Sequence, residues 1–291
     1  MTDATLLFLN AIQDAYGSLD WLPIPDGQIH RFHVPKDKAG TFNGWYVLHL
    51  DGIASGAFGS WKTGASSTWN SRKPTDHLEA QVVAQRIEQA RLHREAERYL
   101  RQQTASIAAV RMWSNAAPAD PQHPYLIAKR CLPHGLRQSG ELLLVPLYLE
   151  RNLVNLQRIA ADGSKRFLPG GRVKGCYSPI GTLEPYQSLY ICEGWATGAT
   201  IHEAKGAAVA CAMTAGNLLD VGRQLQRHYP NGELVIAGDD DRQTEGNPGR
   251  TAATCAASAL GCGLIFPLWS GAEPLNLSDF SDLRHWRETN Q

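Results

Sequence analysis

The sequence predicts an α/β protein whose most regular part lies at the C-terminus. Three observations predict it. From Leu189 onward, short apolar runs alternate with helix-like stretches, the pattern of βα units and a mostly parallel sheet. Before that, residues 113–186 mix strand-like and loop-like stretches and are rich in Lys and Arg. At the N-terminus a single helix precedes short alternating runs with Gly-rich breaks, as in a small antiparallel α+β domain. The implied division is a small N-terminal α+β domain at 1–75, a long connecting helix at 76–112, a basic α+β subdomain at 113–186 and a βα sheet at 187–291.

In order, the first helix is expected over about 2–16. Asn10, Gln13 and Asp14 interrupt its apolar residues, and no basic segment precedes it, so it reads as an amphipathic helix rather than a signal peptide. The runs "IHRFHV", "GWYVLHLDG" and "ASGAFGSWKTG" read as strands. From Thr75 to about Trp113 the composition turns to Glu, Gln, Arg and Ala. That is one long, largely solvated helix with Thr75 or Asp76 as its cap. "SNAAPADPQHP" ends it. Strands follow at "LLLVPLYL" and "LVNLQRIA", then a turn at "AADGSKRF". The C-terminal alternation places strands at 189–192, "AAVACAM", "ELVIAG" and "GLIFPLW". Helices are expected over about 195–205, 217–229 and 248–260, and from about Asp279.

The 291 residues are enough for a sizeable core. No apolar run approaches the roughly 20 residues of a membrane helix, so no membrane partner is expected. The six cysteines form no CxxC pair, which argues against a zinc ribbon or a disulfide framework and for a reducing cytoplasm. The net charge is zero but unevenly distributed. Residues 106–185 carry 10 basic and 5 acidic side chains, and residues 186–291 carry 7 and 12. A basic middle beside an acidic end suggests polyanion binding next to metal binding; chance segregation is the alternative.

Two strands end in acid. "YICEGWATGAT" ends its strand in Glu193, and "LVIAGDDDRQTEGNPG" ends in Asp239, Asp240 and Asp241. Ligands of open α/β sheets bind beyond the carboxyl ends of the strands. In an extended segment Asp239 and Asp241 share a side and Asp240 points away. Carboxylates that converge repel one another unless a divalent cation sits among them, and oxygen-only ligation favours Mg²⁺ or Mn²⁺ over zinc. Taken singly, each acid stretch reads first as a turn, a helix cap or a solvated loop; together on a βαβ frame they point to a site.

These residues carry a family resemblance. Glu at one strand end and Asp-x-Asp at a later one resembles the Toprim domain of topoisomerases and bacterial-type primases. "EGWATGAT" resembles the "EGYATA" signature of primases from satellite phages and conjugative plasmids, with Trp195 for Tyr and Gly198 for the last Ala. "AGDDDRQTEGNPGRTAATCAA" and "LSDFSDL" are similar to later segments of that family. "HPYLIAKRCLP" and "LQRIAADGSKRFLPGGRVKGCYSPIG" resemble its basic subdomain, and "NGWYVLHLDGIASGAFGSWKTG" resembles the N-terminal region of some primase-helicases.

The resemblance implies a DNA primase catalytic core, a nucleotidyltransferase that makes short RNA primers on single-stranded DNA for a phage or plasmid. It implies that Asp239 and Asp241 hold Mg²⁺ or Mn²⁺, and that Glu193 completes the metal site or acts as acid–base group. Asp279 and Asp282 are candidates for a further metal contact, or simply acids at a helix N-terminus. Arg158, Lys165, Arg166, Arg172 and Lys174 would hold triphosphate or template–primer phosphates. The expected partners are a single-stranded DNA template, ribonucleoside triphosphates and a separate helicase, since no Walker A pattern occurs. The family's Cys-rich zinc module has no counterpart here, so no zinc is expected. The N-terminal aromatics Trp45, Tyr46, Phe58, Trp61 and Trp69 read mostly as core, with Trp61 and Lys62 left open between core and base stacking. A metal-dependent Toprim nuclease and a single-strand-binding accessory are the alternatives.

Overall fold

The computed structural model describes residues 3–35, 37–183 and 187–290. It divides into two compact units, residues 1–99 and 100–291. The expected boundary at 186/187 abuts residues 184–186, outside the described residues.

In the first unit, helix α1 (Ala4–Tyr16) is capped by Asp3, whose side chain accepts the Thr5 backbone N–H at 2.9 Å. Strands β1 (His30–Phe32), β2 (Gly44–His49), β3 (Ser55–Ser60) and β4 (Ser66–Asn70) form one antiparallel sheet in that order. Strand β4 went unforeseen, because "SSTWN" carries only one large apolar residue. One face of the sheet packs Phe32, Tyr46, Leu48 and Phe58 on Phe8 and Ile12 of α1. The other packs Trp45, Val47 and Ala57 on Ala90 of helix α2 (His77–Asn115), which begins where Asp76 accepts the Glu79 N–H.

In the second unit a short strand β5 (Ala117–Pro118) and helix α3 (Pro124–Lys129) precede β6 (Arg137–Ser139), β7 (Leu142–Leu149), β8 (Asn152–Ile159) and β9 (Lys165–Phe167). Strands β5 to β9 form a second antiparallel sheet in sequence order. Strand β9 extends what reads as a mere turn in "AADGSKRF": after the Asp162–Gly163 reversal the chain stays extended and pairs with β8.

The third sheet contains β10 (Ser178–Ile180), β11 (Leu189–Cys192), β12 (Val209–Cys211), β13 (Leu234–Ala237) and β14 (Gly263–Ile265). Its order is β10-β12-β11-β13-β14, parallel throughout except for the β10 edge. The connecting helices are α4 (Trp195–Lys205), α5 (Leu218–His228) and α6 (Pro248–Leu260), and α7 (Phe280–Thr289) closes the chain. The strands are buried on both faces, with strict alternation. Cys192, Val209 and Cys211 face a core shared with α4 and with Leu143, Val145 and Leu147 of β7. Leu189, Ile191, Ala208, Ala210 and Ile236 face α5 and α6. Two-sided burial is why these strands read as apolar runs rather than alternating ones.

Candidate active site

The chain leaves β11 for β12 on one side and later returns to β13 on the other. The topological switch point therefore lies between β11 and β13, where ligands of such sheets bind. Cys192 pairs with Ala237 in register, so Glu193 and Asp239 follow neighbouring strand ends.

The Glu193 loop is short. Its carbonyl accepts the Met213 N–H at 2.7 Å, and Gly194 caps α4 with φ −92°. The turn after Glu193 thus needs no left-handed glycine. Gly198 is the constrained position: a Cβ there would run into Cys211 Sγ and meet Cys192 Sγ at 3.2 Å. Burial raises the Glu193 pKa and Asp241 adds to the rise, partly offset by the Ala215 N–H and Lys165.

The three consecutive aspartates do three different things. Asp240 is buried and clamped: Arg250 donates to both of its oxygens at 2.9 and 3.0 Å, Asn247 Nδ2 donates at 2.7 Å and Trp269 Nε1 at 3.0 Å. Those hydrogen bonds, Arg250 foremost, hold its pKa far below the usual carboxylate range. Asp241 accepts the Gly249 N–H at 2.8 Å, in the first turn of α6. Asp239 has neither support. Its Oδ1 is buried without a hydrogen-bond partner among the described residues. Burial, with Asp279, Glu193 and Asp241 nearby, pushes its pKa up to about 8.

The stretch "GNPG" builds this loop. Asn247 sits at φ 42°, a left-handed position that Asn tolerates, and its Oδ1 accepts the Asp241 N–H at 2.8 Å. Pro248 opens α6, where its missing N–H costs nothing. A Cβ on Gly249 would lie 2.8 Å from Asp241 Oδ2 and 3.0 Å from the Asp239 carbonyl oxygen. The bare backbone lets the carboxylate dock.

Asp279 caps α7 by accepting the Asp282 N–H at 2.7 Å. Burial first, then Asp282, raises its pKa. Asp282 is occupied on both oxygens, by Lys129 Nζ at 3.1 Å and the Ser278 N–H at 3.2 Å. Lys129 is a residue sequence reasoning missed, although it stands inside the quoted "HPYLIAKRCLP". Burial pulls its pKa down, but Asp279 and Asp282 more than compensate. Lys165 on β9 joins the cluster. Loss of water around its ammonium, then Lys129, lowers its pKa, against the pull of Asp279, Asp239 and Glu193.

The remaining basic candidates divide. Arg158 and Arg166 stand directly opposite each other on β8 and β9, a like-charged pair that favours an anion between or beside them. Arg158 Nε is buried without a partner among the described residues. Arg172 donates to the Lys174 carbonyl at 3.0 Å, and Lys174 lies 3.5 Å from Asp220. Asn217, also missed, ties this loop to the sheet. Its side chain bonds Val173, Gly175, Cys176 and Ala212 at 2.7–3.1 Å. A lone Asn in "TAGNLLD" gave no sign of that in the sequence.

The donor set at the switch point is all oxygen, with an orphaned buried carboxylate oxygen at its centre. That suits a hard divalent cation. Among the described residues no group of three or more His, Cys, Asp or Glu side chains is gathered closely enough to bind an ion by itself. The arrangement fits Mg²⁺, which is commonly held by one or two carboxylates plus water and substrate phosphates, better than a closed all-protein cage.

This sheet order and site define a class. Residues 188–267 match the Toprim domain. Beyond the domain, the chain is 35% identical over 264 residues to one DNA primase TraC of Escherichia coli and 36% identical over 267 residues to another. Each alignment covers 86% of this chain, but only 18% and 25% of the relatives' own lengths. Among solved structures, the DnaG catalytic core has 16% identity and a TM-score of 0.34, covering 62% of this chain and 66% of that one. The Aquifex aeolicus primase, with its zinc-binding and RNA polymerase domains, has 13% identity and a TM-score of 0.40 over 97% of this chain and 82% of that one. Among the described residues no helix is long and apolar enough to cross a membrane.

Proposed function

We propose that this chain is a DNA primase catalytic core, joining ribonucleotides into short primers on single-stranded DNA. The observation that carries this reading is the acid cluster at the switch point, with Glu193, Asp239 and Asp241 beside Lys165, in a chain that aligns over most of its length with DNA primase TraC. Because the chain spans at most a quarter of those relatives, primer synthesis is assigned to this portion as a proposal.

Asp239 and Asp241 would hold Mg²⁺ or Mn²⁺, with Asp279 the better candidate for a further contact because Lys129 already engages Asp282. A bound divalent cation supplies charge neutralisation at the transferred phosphate. The chain's own groups do the rest. Glu193 accepts the proton of the primer 3′-hydroxyl; its raised pKa suits that task. The 3′-oxygen bonds the α-phosphorus of the next ribonucleoside triphosphate as the bond to the β-phosphate bridge breaks, and pyrophosphate leaves. Lys165, Arg158 and Arg166 hold triphosphate or template phosphates in line, and Arg172 and Lys174 extend that surface.

In this reading the basic subdomain at 113–186 grips nucleotide and template, and the Toprim part at 187–291 does the chemistry. The helix at 76–112 connects them to the N-terminal domain at 1–75. The protein would serve a phage or plasmid in the cytoplasm, beside a separate helicase.

The test is incubation with single-stranded DNA, labelled ribonucleotides and Mg²⁺ or Mn²⁺. Short labelled oligoribonucleotides are expected. Template cleavage without primers would replace the reading with a nuclease, and binding with neither product would leave a single-strand-binding accessory.

A further inference from the structure

The catalytic reading leaves the first unit unused, including the "FGSWKTG" stretch. Lys62 is already spent there on Asp37, at 2.5 Å. Trp61 is not. It lines an open pocket of about 220 Å³ together with Ser66 and, from α2, Arg91, Arg94 and Arg98. The indole Nε1 of Trp61 is buried with no acceptor among the described residues. A buried donor left unpaired is costly, which calls for an acceptor.

The arginines repeat the same imbalance. Arg91 is neutralised, bonded to Glu88 and Glu95 at 2.6–2.9 Å. Arg94 lies flat over Trp45, 4.1 Å from the ring centroid, and its one hydrogen bond goes to the Ala90 carbonyl. Arg98 has no hydrogen-bond or ion-pair partner among the described residues. Burial lowers the Arg94 pKa, Glu95 pulls it back and Arg91 adds to the lowering. Glu95, bonded to Arg91, is the one carboxylate of the wall. The pocket therefore offers the partnerless Arg98, the edge of the Arg94 guanidinium with Glu95 near it, and the part of the Trp61 ring that Arg31 and Trp45 leave uncovered.

We propose that this pocket binds one nucleotide unit of a single strand of DNA, its phosphate on Arg94 and Arg98 and its base against Trp61. Guanidiniums match phosphate oxygens, and an aromatic face stacks any base, which gives sequence-tolerant strand binding. Duplex DNA, with its bases already stacked, does not supply such a partner. The inference rests on the primase reading only for the class of ligand. The site uses no residue of the Toprim part.

The test uses the full chain and a 12-residue oligothymidylate carrying 5-iodouracil, photo-crosslinked in EDTA and mapped by mass spectrometry, with affinity read by anisotropy. Trp61 should crosslink, and unlabelled oligothymidylate should compete. Trp61→Ala should weaken binding at least about fivefold, the low end for removing a stacked aromatic. Arg98→Ala, an exposed change that leaves the core intact, should lower the logarithmic salt slope by about 0.7. Crosslinks confined to residues 100–291, with both variants binding like the wild type, would overturn this site and leave the primase reading standing. Displacement of the Trp61 crosslink by millimolar ATP but not by unlabelled oligothymidylate would overturn it in favour of a free nucleotide.

Discussion

Asp239, Asp240 and Asp241 differ only in their partners, and the partners decide what each does. Asp240 is anchored by Arg250, Asn247 and Trp269. Asp240→Ala leaves those donors unsatisfied and should destabilise the fold by about 2 kcal/mol, typical of hydrogen bonds to a charged group and discounted for the half-exposed Arg250. Asp239→Asn should do the opposite: lose primer synthesis about a hundredfold or more while folding normally. The pH dependence separates the two further. The pKa of Asp239 is raised in the folded state to about 8, so the native state holds the proton more tightly than the unfolded chain does. Its contribution to stability is complete below the unfolded value near 4 and disappears as pH rises to about 8. Without metal, the wild-type melting temperature should therefore fall over that window more than that of Asp239→Asn. Added Mg²⁺ should restore it most at the alkaline end. Melting curves in EDTA and in Mg²⁺ read both; identical pH slopes for wild type and variant would remove Asp239 from the site.

At the scale of elements, the two acid-bearing loops are built differently. The loop after β11 is a plain strand-to-helix turn, in which Gly194 has no special backbone duty. The loop after β13 is assembled by the start of α6, through Asn247 in its left-handed conformation and the Gly249 N–H on Asp241. Gly249→Ala places a methyl 2.8 Å from Asp241 Oδ2. Helix propensity favours Ala over Gly by roughly 0.8–1 kcal/mol, so overall stability should change little. Asp241 must move, and primer synthesis and Mg²⁺ affinity should fall together, by about tenfold, as for a metal-supporting group. Isothermal titration with Mg²⁺ beside the primer assay checks this; an unchanged affinity would mean that Asp241 does not need its dock. The strand pattern was legible for the same reason that it is stable: both faces of β11, β12 and β13 are buried, so the apolar runs are unmistakable. Strands β4 and β9 were not legible, because "SSTWN" and "KRF" take their extended form from a neighbour's hydrogen bonds rather than from an apolar face.

For the second unit as a whole, the structure brings a basic sheet edge to an acidic sheet edge. Lys165 feels Asp279, Asp239 and Glu193, residues up to 114 positions away in the chain. Lys165→Ala with Arg166→Ala should weaken binding to oligothymidylate and flatten its logarithmic salt dependence by about 0.7 for each phosphate no longer neutralised. Anisotropy titrations from low to moderate salt measure this, and an unchanged slope would make the pair surface charge alone.

The sequence by itself determined the βα order, the strand ends that carry Glu193 and the aspartates, and the split between basic and acidic regions. These are local or compositional properties, written in spacing and side-chain type. Tertiary structure alone decided that β11 and β13 are neighbours, that Asp240 is claimed by Arg250 and Trp269, that Asp239 is left unpaired, and that Lys129 and Lys165 face the acids. An ionisable group's behaviour depends on its distance to charges and on the water removed around it. Both are set by which distant segments pack together, and no pattern within one segment records that.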